Sequence, residues 1–234
     1  MTPDPAVLAR LETYYDTAPR ATSDIEEHGP LTLFVAREGW PYYARPRLGA
    51  TDLVTAENVR RVLARQRELD VPRAVEWVHE TTPSLLPAAR EAGMQVEECP
   101  LLVLDGDPVA RPTEVSVRVV PADDPALGLV RAAISVGFAN AGTARGEASL
   151  AERDADAAEN DEARARTAAL IQAGRSVLVG AFDAEVGAVG GGSHNPRSRS
   201  ITTVFCSAQD EDVARVYAAV GFRRVGTACI AEAD

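Results

Sequence analysis

Two stretches of this chain, 128 residues apart, can be laid over one another without a gap. Residues 76–102 read EWVHETTPSLLPAAREAGMQVEECPLL, and residues 204–230 read VFCSAQDEDVARVYAAVGFRRVGTACI. The shift brings Trp77-Val78 onto Phe205-Cys206, Ser84 onto Asp212, Gly93 onto Gly221 and Met94 onto Phe222. Each copy carries the same local physics: a short apolar strand, a polar loop and a helix, with Ser84 and Asp212 suited to cap it. A glycine able to take the left-handed C′ position follows, then a large hydrophobe and a last strand. Strand–helix–Gly–strand is a common order, but 27 residues in one register point to a duplication.

Other parts pair in the same way. LTLFVAREGWPYYARP (31–46) and VLVGAFDAEVGAVGGG (177–192) each read as strand, tight polar turn, strand. Helical stretches precede both: PAVLARLETYY in the first half, DPALGLVRAAISVGF and DEARARTAALIQAG in the second. Asp161 and Gly174 bracket the last of these as start and stop. The segment DGDPVARPTEVS (105–116) holds two prolines and reads as the linker. The 234 residues therefore divide into a first domain, 1–111, and a second, 112–234.

Composition removes several function classes. The net charge is −11 with no basic stripe, which argues against a nucleic-acid partner, because phosphate neutralisation drives that affinity. A small anionic ligand stays open, since a nest of backbone N–H groups can hold phosphate on an acidic protein. The three cysteines, Cys99, Cys206 and Cys229, are far apart and read as buried thiols in a reducing cytoplasm, with neither metal nor disulfide. The N-terminus shows no signal-peptide pattern and no apolar run is long enough to span a bilayer, so a cytoplasmic location is expected.

The stretch AQDEDVARVYAAVGFRRVG, with Asp210, Tyr217, Gly221 and Phe222, resembles the C-terminal part of the GCN5-related N-acetyltransferase superfamily. The hairpin 177–192 is similar to that family's central hairpin, and ALGLVRAAISVGFANAG to its first helix. The likeness covers 117–234 and, in diluted form, 31–104; the whole chain resembles the actinobacterial tandem-domain members. It implies an α/β (α+β) fold of two tandem domains, each a mixed, mostly antiparallel sheet flanked by helices. It also implies transfer of an acetyl group from acetyl-CoA to an amine of a small molecule or peptide. In that chemistry a Tyr on the C-terminal helix reprotonates the CoA thiolate, and Tyr217 stands at that position. Read without the resemblance, Tyr217 is an ordinary half-buried helix tyrosine.

One part of the family pattern is missing. Its members hold the CoA pyrophosphate on an Arg/Gln-x-x-Gly-x-Gly/Ala loop at the start of a long helix, where small residues allow close approach and the helix N–H groups meet phosphate. Between the Gly-rich strand and Ile201 only HNPRSRS stands, so the second copy lacks one strand–helix unit near 196–200. The next strand is then expected to return beside VGAVGGGS, antiparallel to it, through a turn at Asn195-Pro196-Arg197-Ser198. The first half keeps a helix, TAENVRRVLARQREL (55–69), but its approach, RPRLGATDLV, has Gly49 without the loop pattern.

The candidate residues follow from these points, each with a bland alternative. Arg197 and Arg199 could contact phosphate or form a solvated tip. Gly190 and Gly191 of the Gly-rich strand, with Asp210, complete the acyl-CoA set that the resemblance implies. His194 reads as a base or as a turn residue beside Asn-Pro. Glu147, after the loop NAGTARG, reads as a catalytic carboxylate or as part of the solvated acidic surface 146–166. Trp40, Tyr42, Tyr43 and Trp77 read as core and packing aromatics, or as the lining of a cleft. Three functions stay open: an N-acyltransferase, an inactive relative serving as a binding module, and an internally deleted relic with exposed apolar surface. A shortened sheet with incomplete cover also invites a homodimer.

Overall fold

The computed structural model describes residues 4–37, 42–104, 106–139, 149–194 and 203–233. The chain opens with helix α1 (Pro5–Arg20), started by Asp4, whose carboxylate accepts from the Ala6 N–H at 2.9 Å, with Pro5 at the first helical position. Strands β1 (Ser23–His28) and β2 (Leu31–Ala36) form an antiparallel hairpin whose turn uses Gly29 at φ 63°. Strand β3 (Arg45–Pro46) adds to β2, pairing Leu31 with Pro46 and Thr32 with Arg45. Helix α2 (Ala56–Glu68) follows behind a capping box of Thr55 and Asn58, then β4 (Ala74–Val78), α3 (Leu85–Glu91) and β5 (Gln95–Leu104).

The second half supplies β6 (Ser116–Val120), α4 (Leu127–Ala139), α5 (Leu150–Glu159), α6 (Asp161–Gln172), β7 (Val177–Asp183) and β8 (Gly187–His194). It closes with β9 (Val204–Ser207), α7 (Glu211–Ala219) and β10 (Arg223–Glu232). The repeat survives in three dimensions, since adding 128 to Gln95–Leu104 gives Arg223–Glu232, the bounds of β10. Gly93 and Gly221 both have positive φ, 88° and 105°, as the left-handed helix stop requires. The cap of α7 differs from expectation. Asp210, two residues before Asp212, accepts from the Asp212 and Val213 N–H groups at 2.9 and 2.8 Å. Ser84 makes no cap bond and instead accepts from the Val54 N–H at 3.1 Å, tying the approach to α2 onto α3.

The sheet order shows how the two matching segments pair. Four strands run β4-β10-β5-β9, every neighbour antiparallel. Each copy has exchanged strands with the other: β4 pairs with β10, and β5 with β9. This corrects the expectation that the strand after the Gly-rich β8 returns beside it. β9 pairs through Leu101–Leu104 with β5, whose ten residues would otherwise leave an apolar edge unbonded. The turn Asn195–Ser198 lies outside the described residues.

Alternation along these strands feeds two cores. Cys99, Leu101, Val103, Val78, Val225 and Ala228 meet Val7, Leu8 and Leu11 of α1. On the opposite face Val75, Trp77, Cys229 and Ala231 pack against α2 and α3 through Val59, Val62, Leu85 and Ala89. Leu102 meets Ala208 and Ala214 under α7. Trp77 is thus a core residue, 1% exposed. The thiols of Cys99, Cys206 and Cys229 are free, and burial pushes all three up, Cys229 to about 12.

By internal contacts the chain forms two compact units, Met1–Asp107 with Val204–Asp234, and Pro108–Thr203. This partition differs from the two copies of the repeat, because the exchange carries β9, α7 and β10 into the first unit. In the second unit β6, β7 and β8 form an antiparallel sheet covered on one face by α4, through Val120, Leu127, Val130, Leu178 and Ala188. The other face carries Val117 and Val119, 62% and 61% exposed. The turn from β7 to β8 uses Gly187 at φ 76°, while Asp183 accepts from the Glu185 and Val186 N–H groups. The sequence reading of 31–46 as a strand pair holds for β2 and β3 but overlooked β1, whose SDIEEH lacks apolar alternation.

Because β10 lies between β4 and β5, a chain ending at residue 203 is expected to lose the cooperative unfolding of the first unit while Pro108–Thr203 keeps its own; β4 and β5 amides still protected from hydrogen exchange in that chain would overturn the exchanged topology. Replacing Gly221 by Val places a β-branched residue at φ 105°. That strain costs about 1–3 kcal/mol, and differential scanning calorimetry should show a fall in Tm of several degrees.

Candidate functional site

Strands β3 and β4 run parallel but touch at a single bridge, Ala44 to Val75. The Ala44 N–H donates to the Ala74 carbonyl at 3.2 Å, and the Glu76 N–H donates to the Ala44 carbonyl at 2.9 Å. Beyond the bridge Pro46 has no N–H to give, and the Arg47 N–H turns away to the Pro30 carbonyl at 2.8 Å. Strand alternation turns the Glu76 carbonyl and the Val78 N–H toward β3, as it does Ala74 O and Glu76 N. A cleft of about 100 Å³ lies past the end of β3, lined by Glu12, Pro46, Arg47, Asp52, Thr81 and Thr82 among others, with the last two in the loop that follows β4.

Behind the cleft lies a charged group that holds α1 in place. The Arg45 side chain is 5% exposed, pairs with Glu76 at 2.7 Å, and stacks its guanidinium 3.7 Å above the Tyr15 ring. Burial drives the Tyr15 hydroxyl far above the usual tyrosine range. Tyr15 also packs edge-on against Phe205 of β9, 5.1 Å between centroids. One helical turn before Tyr15, Glu12 shares its face of α1 and reaches the cleft, accepting from the Thr81 hydroxyl at 2.6 Å. Arg45, Glu76, Tyr15 and Glu12 were not singled out from the sequence. The signal available was slight: an Arg before Pro, and a Glu three residues before a Tyr.

The residues present fit one part of acetyl-CoA and not another. The Glu76 carbonyl and the Val78 N–H, on the β3 side of β4, are of the kind that could pair with an amide-bearing arm, though neither residue lines the cleft. The start of α2 does not suit pyrophosphate, because the Asn58 N–H is bound by the Thr55 hydroxyl and the first turn carries Glu57.

The residues expected from the sequence fall into separate places. Tyr217 lies on α7, edge-on to Phe222 at 5.3 Å and packed over Leu102; burial raises its pKa, so it holds its proton. Its counterpart 128 residues earlier is Ala89, fully buried in α3. The Asp210 carboxylate is engaged as the α7 cap. Gly190, Gly191 and His194 lie on β8, in the other unit from Tyr217. A Cβ at Gly191 would meet the Val179 carbonyl at 2.6 Å and Val130 at 2.9 Å, so this glycine lets α4 close on the sheet; one at Gly190 would meet nothing within 4 Å. Glu147, Arg197, Arg199 and Trp40 lie outside the described residues. Among the described residues no three His, Cys, Asp or Glu side chains converge as a metal site, and no helix is long and apolar enough to cross a membrane.

Glu76→Ala is expected to leave Arg45 buried without its carboxylate and to lower stability by about 3 kcal/mol, measured by urea unfolding. A loss under about 0.5 kcal/mol would show that the pair is no stronger than one at the surface.

No family model matches the chain, and no curated protein matches it. Among solved structures it is similar to a GCN5-related N-acetyltransferase from Kribbella flavida, with 17% identity and a TM-score of 0.60. The match covers 97% of this chain and 95% of that one. At that identity the likeness is one of fold: the chain has the mixed α+β fold of a GCN5-related N-acetyltransferase along nearly its whole length.

Proposed function

We propose that this protein is an N-acyltransferase that moves an acetyl group from acetyl-CoA to an amine of a small molecule or peptide, in the cleft past the end of β3. The observation that carries the reading is a parallel pair held by one bridge at Ala44–Val75, with a cleft past the end of β3, in a fold shared with an N-acetyltransferase. The donor supplies an activated thioester. The chain's own groups hold its amide-bearing arm, through the Glu76 carbonyl and the Val78 N–H, and keep the acceptor beside it. With the start of α2 capped, affinity rests on that arm and not on the phosphates.

A second reading, a non-catalytic binding protein, is favoured by how the parts are distributed. The first copy has the cleft but Ala89 where the resemblance puts a tyrosine. The second copy has Tyr217 on α7, beside β5 and β9 and away from the residues lining the cleft.

Calorimetric titration of the purified protein with acetyl-CoA separates the two. Transfer predicts saturable binding near 100 μM, on the order of −5.5 kcal/mol. No heat in a folded sample would leave the binding-protein reading. Under the transfer reading, Tyr217→Phe is expected to leave acetylation of an amine mixture unchanged, because the phenol is outside the cleft. A tenfold fall in turnover with unaltered acetyl-CoA binding would move the reaction to α7.

A further inference from the structure

The sheet of β6, β7 and β8 has two unlike faces. On one, Gly180 and Gly191 leave room for α4, since a Cβ at either would come within 2.9 Å of Val130. On the other, the register sets out two rows, Val117–Ala181–Gly190 and Val119–Val179–Gly192. Neither row holds a charged or polar side chain, and none of the six joins an apolar cluster among the described residues. Each row steps down from valine on β6 to glycine on β8, and a Cβ at Gly190 or Gly192 would meet nothing within 4 Å. Glycine inside a strand weakens it and marks a place where something else comes close. Gly180 and Gly191 have that neighbour in α4; Gly190 and Gly192 have none among the described residues. The first unit differs: α2 covers β2 through Val59, Val62, Leu31 and Leu33, and is fixed by Arg65 on Glu26 of β1 at 2.8 Å.

We propose that this open face docks a second copy of the chain, the two sheets stacked face to face about a twofold axis that runs along β7. That axis lays β6 of one copy over β8 of the other. Each valine ridge then enters a glycine trough, and two wedges close into a layer of even thickness. A helix of the α2 kind fits less well, because the face offers no carboxylate to hold its arginines. Charge selects the same place. At a net charge of −11 two copies repel, and this face brings them together with no charged side chain from either row between them. Five residues along each of three strands give a face of roughly 250 Å² by strand geometry, against about 800 Å² per partner in a stable complex. The dimer is therefore concentration-dependent, with a Kd on the order of 100 μM. It is independent of the acyl-transfer reading.

Sedimentation equilibrium of the full chain from about 10 μM to about 1 mM is the test. A monomer–dimer equilibrium is expected, tightened by about 0.5 M NaCl because screening removes the net repulsion. Val119→Lys, at a position 61% exposed, should leave the unfolding transition unchanged and weaken the dimer by roughly tenfold or more. Gly190→Val separates a fitted interface from stickiness. It suits the strand and makes the face more apolar, so non-specific adhesion would grow, whereas filling the trough should weaken the dimer by roughly tenfold. A chain that stays monomeric throughout, a dimer untouched by Val119→Lys, or one tightened by Gly190→Val would overturn the proposal.

Discussion

The ladder between β5 and β10 is the constraint on which the rest of the first unit depends. It pairs Gln95 with Glu232 at one end and Val103 with Arg223 at the other, the longest pairing in the structure. Every other part of the sheet hangs from it: β4 from the far edge of β10, β9 from the far edge of β5, and the β1–β3 hairpin through the bridge to β4. Its one irregularity falls at Arg224–Gly226. A Cβ at Gly226 would come within 2.6 Å of the Glu80 carboxylate that accepts from the Thr227 N–H, so a larger residue there would displace that side chain.

The candidate site is a place where this framework stops pairing. Regular β-structure satisfies its own backbone, and a cleft exists only where two strands part and leave polar groups facing outward. Here Pro46 enforces the parting, and the buried Arg45–Glu76 pair prevents the gap from closing by holding α1 above it. Burying a guanidinium costs free energy, which the carboxylate and the Tyr15 ring offset. The return is positional, because it places Glu12 beside Thr81 and not in open solvent.

Much of the fold could be read from the sequence because the two matching segments carry the same local signals. Gly93 and Gly221, the short helices before them and the apolar strands after them are fixed by nearest-neighbour chemistry, and they occur where read. Partner choice was not legible. Nothing in VFCS or VEECPLLVL says which copy it will join, since either pairing buries the same side chains. The α7 cap was placed two residues late because Asp210 and Asp212 are both good caps, and only backbone geometry separates them. The cleft was missed for a related reason: Glu12, Asp52 and Thr81 are ordinary surface residues until α1 and two loops bring them together. The Gly-rich β8, which drew attention to the second copy, owes Gly191 at least to the close approach of α4.

The strand exchange has a consequence for how the molecule is made. A domain whose strands follow one another can fold as it leaves the ribosome. Here β5 is complete at Leu104, yet the first strand to fill one of its edges, β9, begins at Val204, 100 residues later by subtraction. At ~5–20 residues per second that gap lasts roughly 5–20 s. Through it, the apolar edge of CPLLVL waits without a permanent neighbour. The nascent first half must therefore either pair provisionally with its own β4, and later give that pairing up, or be shielded until the second half arrives.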